Sequence, residues 1–181
     1  MQTEIIFSGF GGQGVLFAGQ LLAYAAMDAG YEVTWIPSYG PEMRGGTANC
    51  TVIIADEEIG SPLVEHPQAV VAMNLPSLDK YEALVRPGGL VVVNSSIIER
   101  PLQRTDVHLV AIPANQIAEE LGDRRMTNMA LTGGLLANLP ILPLEALEKA
   151  LGEHLPARHQ RFLPLNSQAL HRGAAYHLAP A

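Results

Sequence analysis

The stretch Gly9-Phe10-Gly11-Gly12-Gln13-Gly14 constrains the fold more than any other part of the chain. It follows directly on Glu4-Ile5-Ile6-Phe7-Ser8, a short β-branched and aromatic run that reads as a buried strand. After it, Val15-Leu16, Leu21-Leu22 and Ala25-Ala26 recur at helical spacing, and Gly30 ends the helix. Val33-Thr34-Trp35-Ile36 then reads as a second strand. A strand, glycine turn, helix and strand of this length imply a right-handed crossover into a parallel sheet. Glycines permit a tight turn and bring backbone N–H groups close to a ligand. The helix N-terminus adds about half a positive charge, so a phosphate or carboxylate is favoured there.

The alternation continues downstream. Residues 48–55, 69–73, 90–94 and 107–112 are apolar runs of strand length. Ser77 is placed to cap a helix through Leu78, Tyr81 and Leu84-Val85, which Pro87-Gly88-Gly89 ends. Helical patterns then dominate over residues 114–121, 128–138, 143–155 and 165–176. Strands that are apolar on both faces and alternate with helices indicate an α/β fold. The expectation is a Rossmann-like, doubly wound, mostly parallel sheet with a helical C-terminal third. Residues 1–181 show no internal repeat or long linker and read as one domain.

A nicotinamide dinucleotide would need more than the glycines. Its ribose is held by an Asp or Glu at the end of the second strand, about 20 residues on. That strand ends Trp35-Ile36-Pro37-Ser38, and Glu32 stands at its beginning. No arginine stands there to receive a 2′-phosphate. Three readings of the glycine loop remain: a tight turn for helix–sheet packing, a contact with a partner subunit or another anionic ligand, and a dinucleotide site.

The segment Ser38-Tyr39-Gly40-Pro41-Glu42-Met43-Arg44-Gly45-Gly46-Thr47 is the second unusual loop. It leaves the second strand at its carboxyl end, where open α/β sheets bind ligands. The glycine loop is expected on the same rim, after the neighbouring strand. Arg44 offers a planar cation suited to carboxylate or phosphate, and Ser38 and Tyr39 add hydroxyls. The plainer alternative for Arg44 is a salt bridge to Glu42.

Several chemistries lack their residues. The single cysteine, Cys50, falls within a strand pattern and reads as a small core residue; it cannot supply a disulfide, a Cys-rich zinc site or an Fe–S cluster. His154, His159, His171 and His177 lack the i, i+4 spacing of a helical zinc site and read as surface residues. Asp28, Asp56 and Asp79 read as helix-end or turn residues, and Trp35, Met126 and Met129 as core. No catalytic constellation and no metal site is expected. A net charge of -7 with no basic stripe argues against nucleic acid. No apolar run reaches the roughly 18 residues of a membrane span, and no signal-peptide pattern opens the sequence, so a cytoplasmic location is expected. Charged residues make up only 16%, against a usual share of about 25%. Either a small-residue-rich core or a large surface buried against partners accounts for that.

Taken together, the two loops resemble the gamma subunit of the 2-oxoacid:ferredoxin oxidoreductases. Further matches are Ile59-Gly60-Ser61-Pro62, Met73-Asn74-Leu75-Pro76-Ser77-Leu78, Gly88-Gly89, Asn94-Ser95-Ser96, Asn128-Met129, and Leu165-Asn166 with Gly173. The Ser38–Gly46 loop looks most like the 2-oxoglutarate branch, with the branched-chain 2-oxoacid branch close to it. Pyruvate-type gamma domains tend to depart from that form. Gln68 stands where family members often have Asp, at a position that matches no ligand motif.

The resemblance implies a multisubunit enzyme that oxidatively decarboxylates a 2-oxoacid, makes the acyl-CoA and reduces ferredoxin. It places thiamine diphosphate, Mg²⁺ and 4Fe-4S clusters in the alpha and beta subunits, or a delta subunit, with no cofactor bound by this chain alone. The isolated chain is expected to be inactive and able to self-associate. Gly9, Gly11, Gly12, Gln13 and Gly14 are expected to face the catalytic core together with Ser38, Tyr39, Glu42, Arg44, Gly45 and Gly46. Arg44 would lie near the CoA phosphates or a partner carboxylate. The alternatives are a subunit of an indolepyruvate oxidoreductase, a stand-alone nucleotide- or NAD-binding protein, and an assembly scaffold without a ligand.

Overall fold

The structure is a computed structural model that describes residues 1–39 and 46–178. Among these residues six strands and six α-helices follow one another. They are β1 (Gln2–Phe10), α1 (Val15–Asp28), β2 (Glu32–Tyr39), β3 (Thr47–Ala55), β4 (Ala69–Ala72), α2 (Leu75–Tyr81), β5 (Leu90–Asn94), β6 (His108–Ile112), α3 (Ala114–Glu120), α4 (Thr127–Asn138), α5 (Leu144–His154) and α6 (Leu163–Ala174). The strands form one sheet in the order β2-β3-β1-β4-β5-β6. β1, β4, β5 and β6 pair in parallel, while β3 runs antiparallel between β1 and β2. This is the expected Rossmann-like α/β fold with a helical C-terminal third.

One expectation about topology needs correction. β1 and β2 run the same way, but they are not neighbours, because β3 lies between them. Chain length explains this. Only residues 40–46 separate β2 from β3. A connection that short can form a hairpin but not a crossover, so β3 must return antiparallel. β2 is left as the edge strand, the place in a sheet where a proline such as Pro37 is tolerated.

The sheet is covered on both faces. Ile5, Phe7, Val71, Val92 and Ile112 point into the larger core under α1, α3, α4, α5 and α6. Ile6, Val70, Ala72, Val91 and Val93 pack on the other face with Leu78, Tyr81 and Val85. Both faces of β4 and β5 are therefore buried, which accounts for their unbroken apolar sequence.

α4 is buried all round, from Asn128 to Leu136. Small residues permit that. A Cβ on Gly133 would overlap the Leu170 carbonyl, and one on Gly173 would overlap the Ala130 carbonyl, so α4 and α6 meet backbone to backbone. α2 also differs from expectation. Asn74, not Ser77, is its N-cap, and the Asn74 carboxamide oxygen accepts from the Ser77 N–H at 2.9 Å. The helix stops at Tyr81 and a 3-10 turn, Glu82–Leu84, follows. Among the described residues no helix is long and apolar enough to cross a membrane.

Candidate functional site

The glycine loop and the described ends of the second segment, Ser38-Tyr39 and Gly46, lie at the carboxyl rim of the sheet. The Gly11 N–H donates to the Gly46 carbonyl at 2.9 Å, joining the end of β1 to the start of β3. The shared rim is thus built through β3 and not through adjacent parallel strands. Ser38 and Tyr39 end β2 on the same rim and are exposed. Glu42, Arg44 and Gly45 lie outside the described residues.

The glycine loop takes the conformation its sequence allows. Gly12 and Gly14 have φ of 95° and 75°, the left-handed region in which a side chain is strained. Gly14 is the N-cap of α1. No side chain caps that helix and no acid stands in its first turn, so its N–H groups face the loop uncompensated. Gln13 folds back over the turn. Its Oε1 accepts from the Phe10 N–H at 2.6 Å and from Asn74 Nδ2 at 3.1 Å, and its Nε2 donates to the Met73 carbonyl at 3.4 Å.

From this loop a groove of about 910 Å³ runs along α1 toward the helical C-terminal third. Phe17, Gln20 and Tyr24 of α1 form one wall. Arg124, Arg125 and Asn128 line the groove as well, together with His154, Leu155, Pro156, His159 and Phe162. His154 stacks on Tyr24, with ring centroids 4.3 Å apart and an interplanar angle of 9°, and its Nε2 lies 2.8 Å from Asp28. Arg125 lies 4.2 Å over the Phe162 ring. The Asp123 carboxylate grips the same guanidinium at 2.9 and 2.6 Å, and this hydrogen bonding holds the Asp123 carboxyl below its ordinary pKa.

Asn128 stands where the groove meets the glycine loop. It is 4% exposed. Its Nδ2 donates to the Gly14 carbonyl at 3.1 Å, while its Oδ1 is buried without a hydrogen-bond partner among the described residues. An unpaired buried acceptor costs about 1–3 kcal/mol, so one on a residue that lines a groove marks a place for a donor.

The family described as pyruvate ferredoxin/flavodoxin oxidoreductase matches residues 4–176. The chain belongs to this family. Ketoisovalerate oxidoreductase subunit VorA of Methanothermobacter marburgensis is 41% identical over 136 residues, which is 75% of this chain and 28% of that protein. 2-Oxoglutarate synthase subunit KorC of Methanocaldococcus jannaschii is 36% identical over 159 residues, covering 86% of this chain and 85% of that one. Among solved structures, the gamma subunit of a keto/oxoacid ferredoxin oxidoreductase from Geobacter sulfurreducens superposes with a TM-score of 0.81 at 31% identity, over 96% of both chains. The chain therefore matches nearly the whole of some relatives but only 28% of the length of that VorA protein and 36% of the VorA of Methanothermobacter thermautotrophicus. The relatives' names carry different 2-oxoacids.

In this member of the pyruvate ferredoxin/flavodoxin oxidoreductase family, the expected Gly9, Gly11, Gly12, Gln13, Gly14 and Gly46 come together. The far half of the site was missed from the sequence. Asn128 reaches Gly14 across 114 positions, which no local spacing signals. Arg124, Arg125, Tyr24 and Phe162 were not singled out either. His154 and His159 lie at the surface, where they line the groove. His171 and His177 are exposed as expected. Asp28, Glu153 and His154 bring their ligand atoms within 4.8 Å of one another, but the direct His154–Asp28 hydrogen bond accounts for their approach without a metal. Cys50 is fully buried, and burial pushes its thiol up to about 12, which fits a core role and not a nucleophile.

Proposed function

We propose that this chain is the gamma subunit of a multisubunit 2-oxoacid:ferredoxin oxidoreductase, docking through its carboxyl rim on the thiamine-binding subunits and receiving CoA along the groove. The unpartnered Asn128 Oδ1 beside the glycine loop carries the ligand half of this reading. CoA offers a matched set of groups. Its phosphates suit the α1 N-terminus and the arginines, its adenine suits the aromatic walls, and its amide N–H groups suit Asn128 Oδ1. When bound, it supplies the thiol that accepts the acyl group. The chain's own residues hold and orient it, and none of them is proposed to take a proton or an electron.

The docking half rests on the rim. Phe10, Tyr39, Leu75 and Ile97 follow or end β1, β2, β4 and β5, and they are 36%, 65%, 39% and 44% exposed. Large apolar side chains clustered at one rim fit burial against a partner. Thiamine diphosphate, Mg²⁺ and the 4Fe-4S clusters belong to the alpha, beta or delta subunits in this reading. One buried cysteine cannot ligate a cluster that takes four thiolates. Ferredoxin is then the electron acceptor of the complex, and 2-oxoglutarate its substrate, on the form of the residue 38–46 loop.

Co-expression with candidate thiamine-binding subunits tests the assignment. Expected results are co-purification and reduction of ferredoxin that requires both 2-oxoglutarate and CoA. Activity only with ketoisovalerate or indolepyruvate would move the substrate. Tight NAD(H) binding by the chain alone, with no partner retained, would overturn the assignment. Within an active complex, Arg44→Ala should weaken assembly or raise the KM for CoA. If assembly, KM and turnover all stay unchanged, Arg44 has neither role.

A further inference from the structure

We propose that Asn74 is a positioning residue for CoA binding that acts through Gln13, setting the glycine loop while touching no ligand itself. The proposal rests on the CoA-receiving role assigned above. Asn74 is 3% exposed and stands just past the carboxyl end of β4, where α2 begins. Its two side-chain atoms have separate tasks. Oδ1 accepts from the Ser77 N–H at 2.9 Å and caps α2. Nδ2 donates to Gln13 Oε1 at 3.1 Å.

That second bond fixes the orientation of the Gln13 carboxamide. Oε1 already accepts from the Phe10 N–H, and Nε2 donates to the Met73 carbonyl. Turning the amide over would set its NH2 against two donors and its oxygen toward a carbonyl, so three contacts would fail together. The side chain also needs room. A Cβ on Gly9 would lie 2.6 Å from Gln13 Oε1, so Gly9 leaves the space the carboxamide fills. Within the loop, Gly11 N–H is taken by Gly46 and Gln13 N–H by the Phe10 carbonyl. With these bonds in place, the loop holds Gly12 and Gly14 in their left-handed conformations at the head of the groove. Gln13 is therefore a strut and not a ligand contact, and Asn74 ties the strut to β4. The anchor is itself buttressed, since Ser8 Oγ donates to Ser77 Oγ at 2.9 Å beside the cap.

Asn74→Asp separates the two tasks. Aspartate caps a helix as well as asparagine, so α2 keeps its cap. It cannot donate to Gln13 Oε1, and it places a negative oxygen against that acceptor. In the assembled complex the variant should stay folded and assembled with its thermal midpoint lowered by several degrees, and raise the KM for CoA about tenfold, with the KM for the 2-oxoacid unchanged. In a Gln13→Met background Asn74→Asp should have no further effect on the KM for CoA, because the strut is already gone. Asn128→Ala serves as the control on the groove. If it raises the KM for CoA while Asn74→Asp does not, the positioning role is wrong and the CoA groove stands. If both leave the KM for CoA unchanged, the CoA groove falls and the positioning role with it. A loss of assembly, thermal midpoint and both KM values together would show a merely structural residue and overturn the proposal.

Discussion

Two asparagines flank the glycine loop, and they are treated in opposite ways. Asn74, on the β4 side, has both ends of its carboxamide engaged with protein. Asn128, on the α4 side, spends its amide on Gly14 and leaves its oxygen buried and unpaired. Both are about equally buried, at 3% and 4% exposure, so solvent does not explain the difference. A saturated buried polar group fixes structure, while an unsaturated one costs stability unless something else binds there. One side of the loop is built to hold it, and on the proposed reading the other receives CoA.

Gly14 lies between the two, and changing it should have the largest effect. Its φ of 75° disfavours any side chain, and a Cβ would overlap Asn128 Nδ2. Gly14→Ala should cost about 2–4 kcal/mol, combining left-handed strain with overpacking against a buried helix. Urea denaturation reads the loss directly. A cost below about 1 kcal/mol would mean that α4 and the loop can move apart, and the contrast between the asparagines would lose its rigid frame.

Next in size is Asn74→Ala, which removes a helix cap and the Gln13 link together. A loss of about 1–3 kcal/mol is expected. Asn128→Ala should do nearly the reverse. It removes one hydrogen bond but also an unpaired buried acceptor, so the stability of the ligand-free chain should change by less than about 1 kcal/mol. Its cost should fall on CoA instead, and titration calorimetry on the complex should show weaker binding. Equal stability losses for the two variants would erase the distinction drawn between them.

The contrast also shows what the sequence could disclose. Strand Leu90–Asn94 was readable to the residue, because a buried parallel strand is apolar throughout and Pro87-Gly88-Gly89 marks its start. The glycine loop was readable, because strand, turn and helix are contiguous. The antiparallel β3 was readable in principle, since residues 40–46 are too few for a crossover, but the strand–helix–strand pattern suggested adjacency. The cap of α2 was misplaced because Asn74 and Ser77 are both good caps, three positions apart, and only geometry says which one accepts. Asn128 and the pairing of Tyr24 with His154 were out of reach. They join residues far apart in the chain: Asn128 meets Gly14 because α4 packs against α1, and His154 meets Tyr24 because α5 does.

The smallest expected effect concerns the wall beyond Asn128. If that side of the loop waits for a ligand, its arginines should already be in place without one. Asp123 does this for Arg125, pairing with the guanidinium that lies over Phe162. The Asp123 side chain is 15% exposed but that of Arg125 is 61%, so solvent screens the pair and its contribution to stability is small. The Arg125 hydrogen bonds depress the Asp123 carboxyl in the folded chain. A depressed carboxylate stabilises fully above its unfolded value, near about 3.9, and that stabilisation disappears as pH falls through the lower folded value. The stability difference between the chain and its Asp123→Asn variant should therefore be flat from neutral pH to about 5 and shrink below about 4. Urea midpoints across that range measure it. A difference that persists unchanged at the acid end would show that the Asp123 charge does not hold Arg125, since asparagine keeps the cap on the Arg125 N–H, at 3.0 Å. The open side would then be ordered by backbone alone, and Arg125 would need its ligand to take up its place.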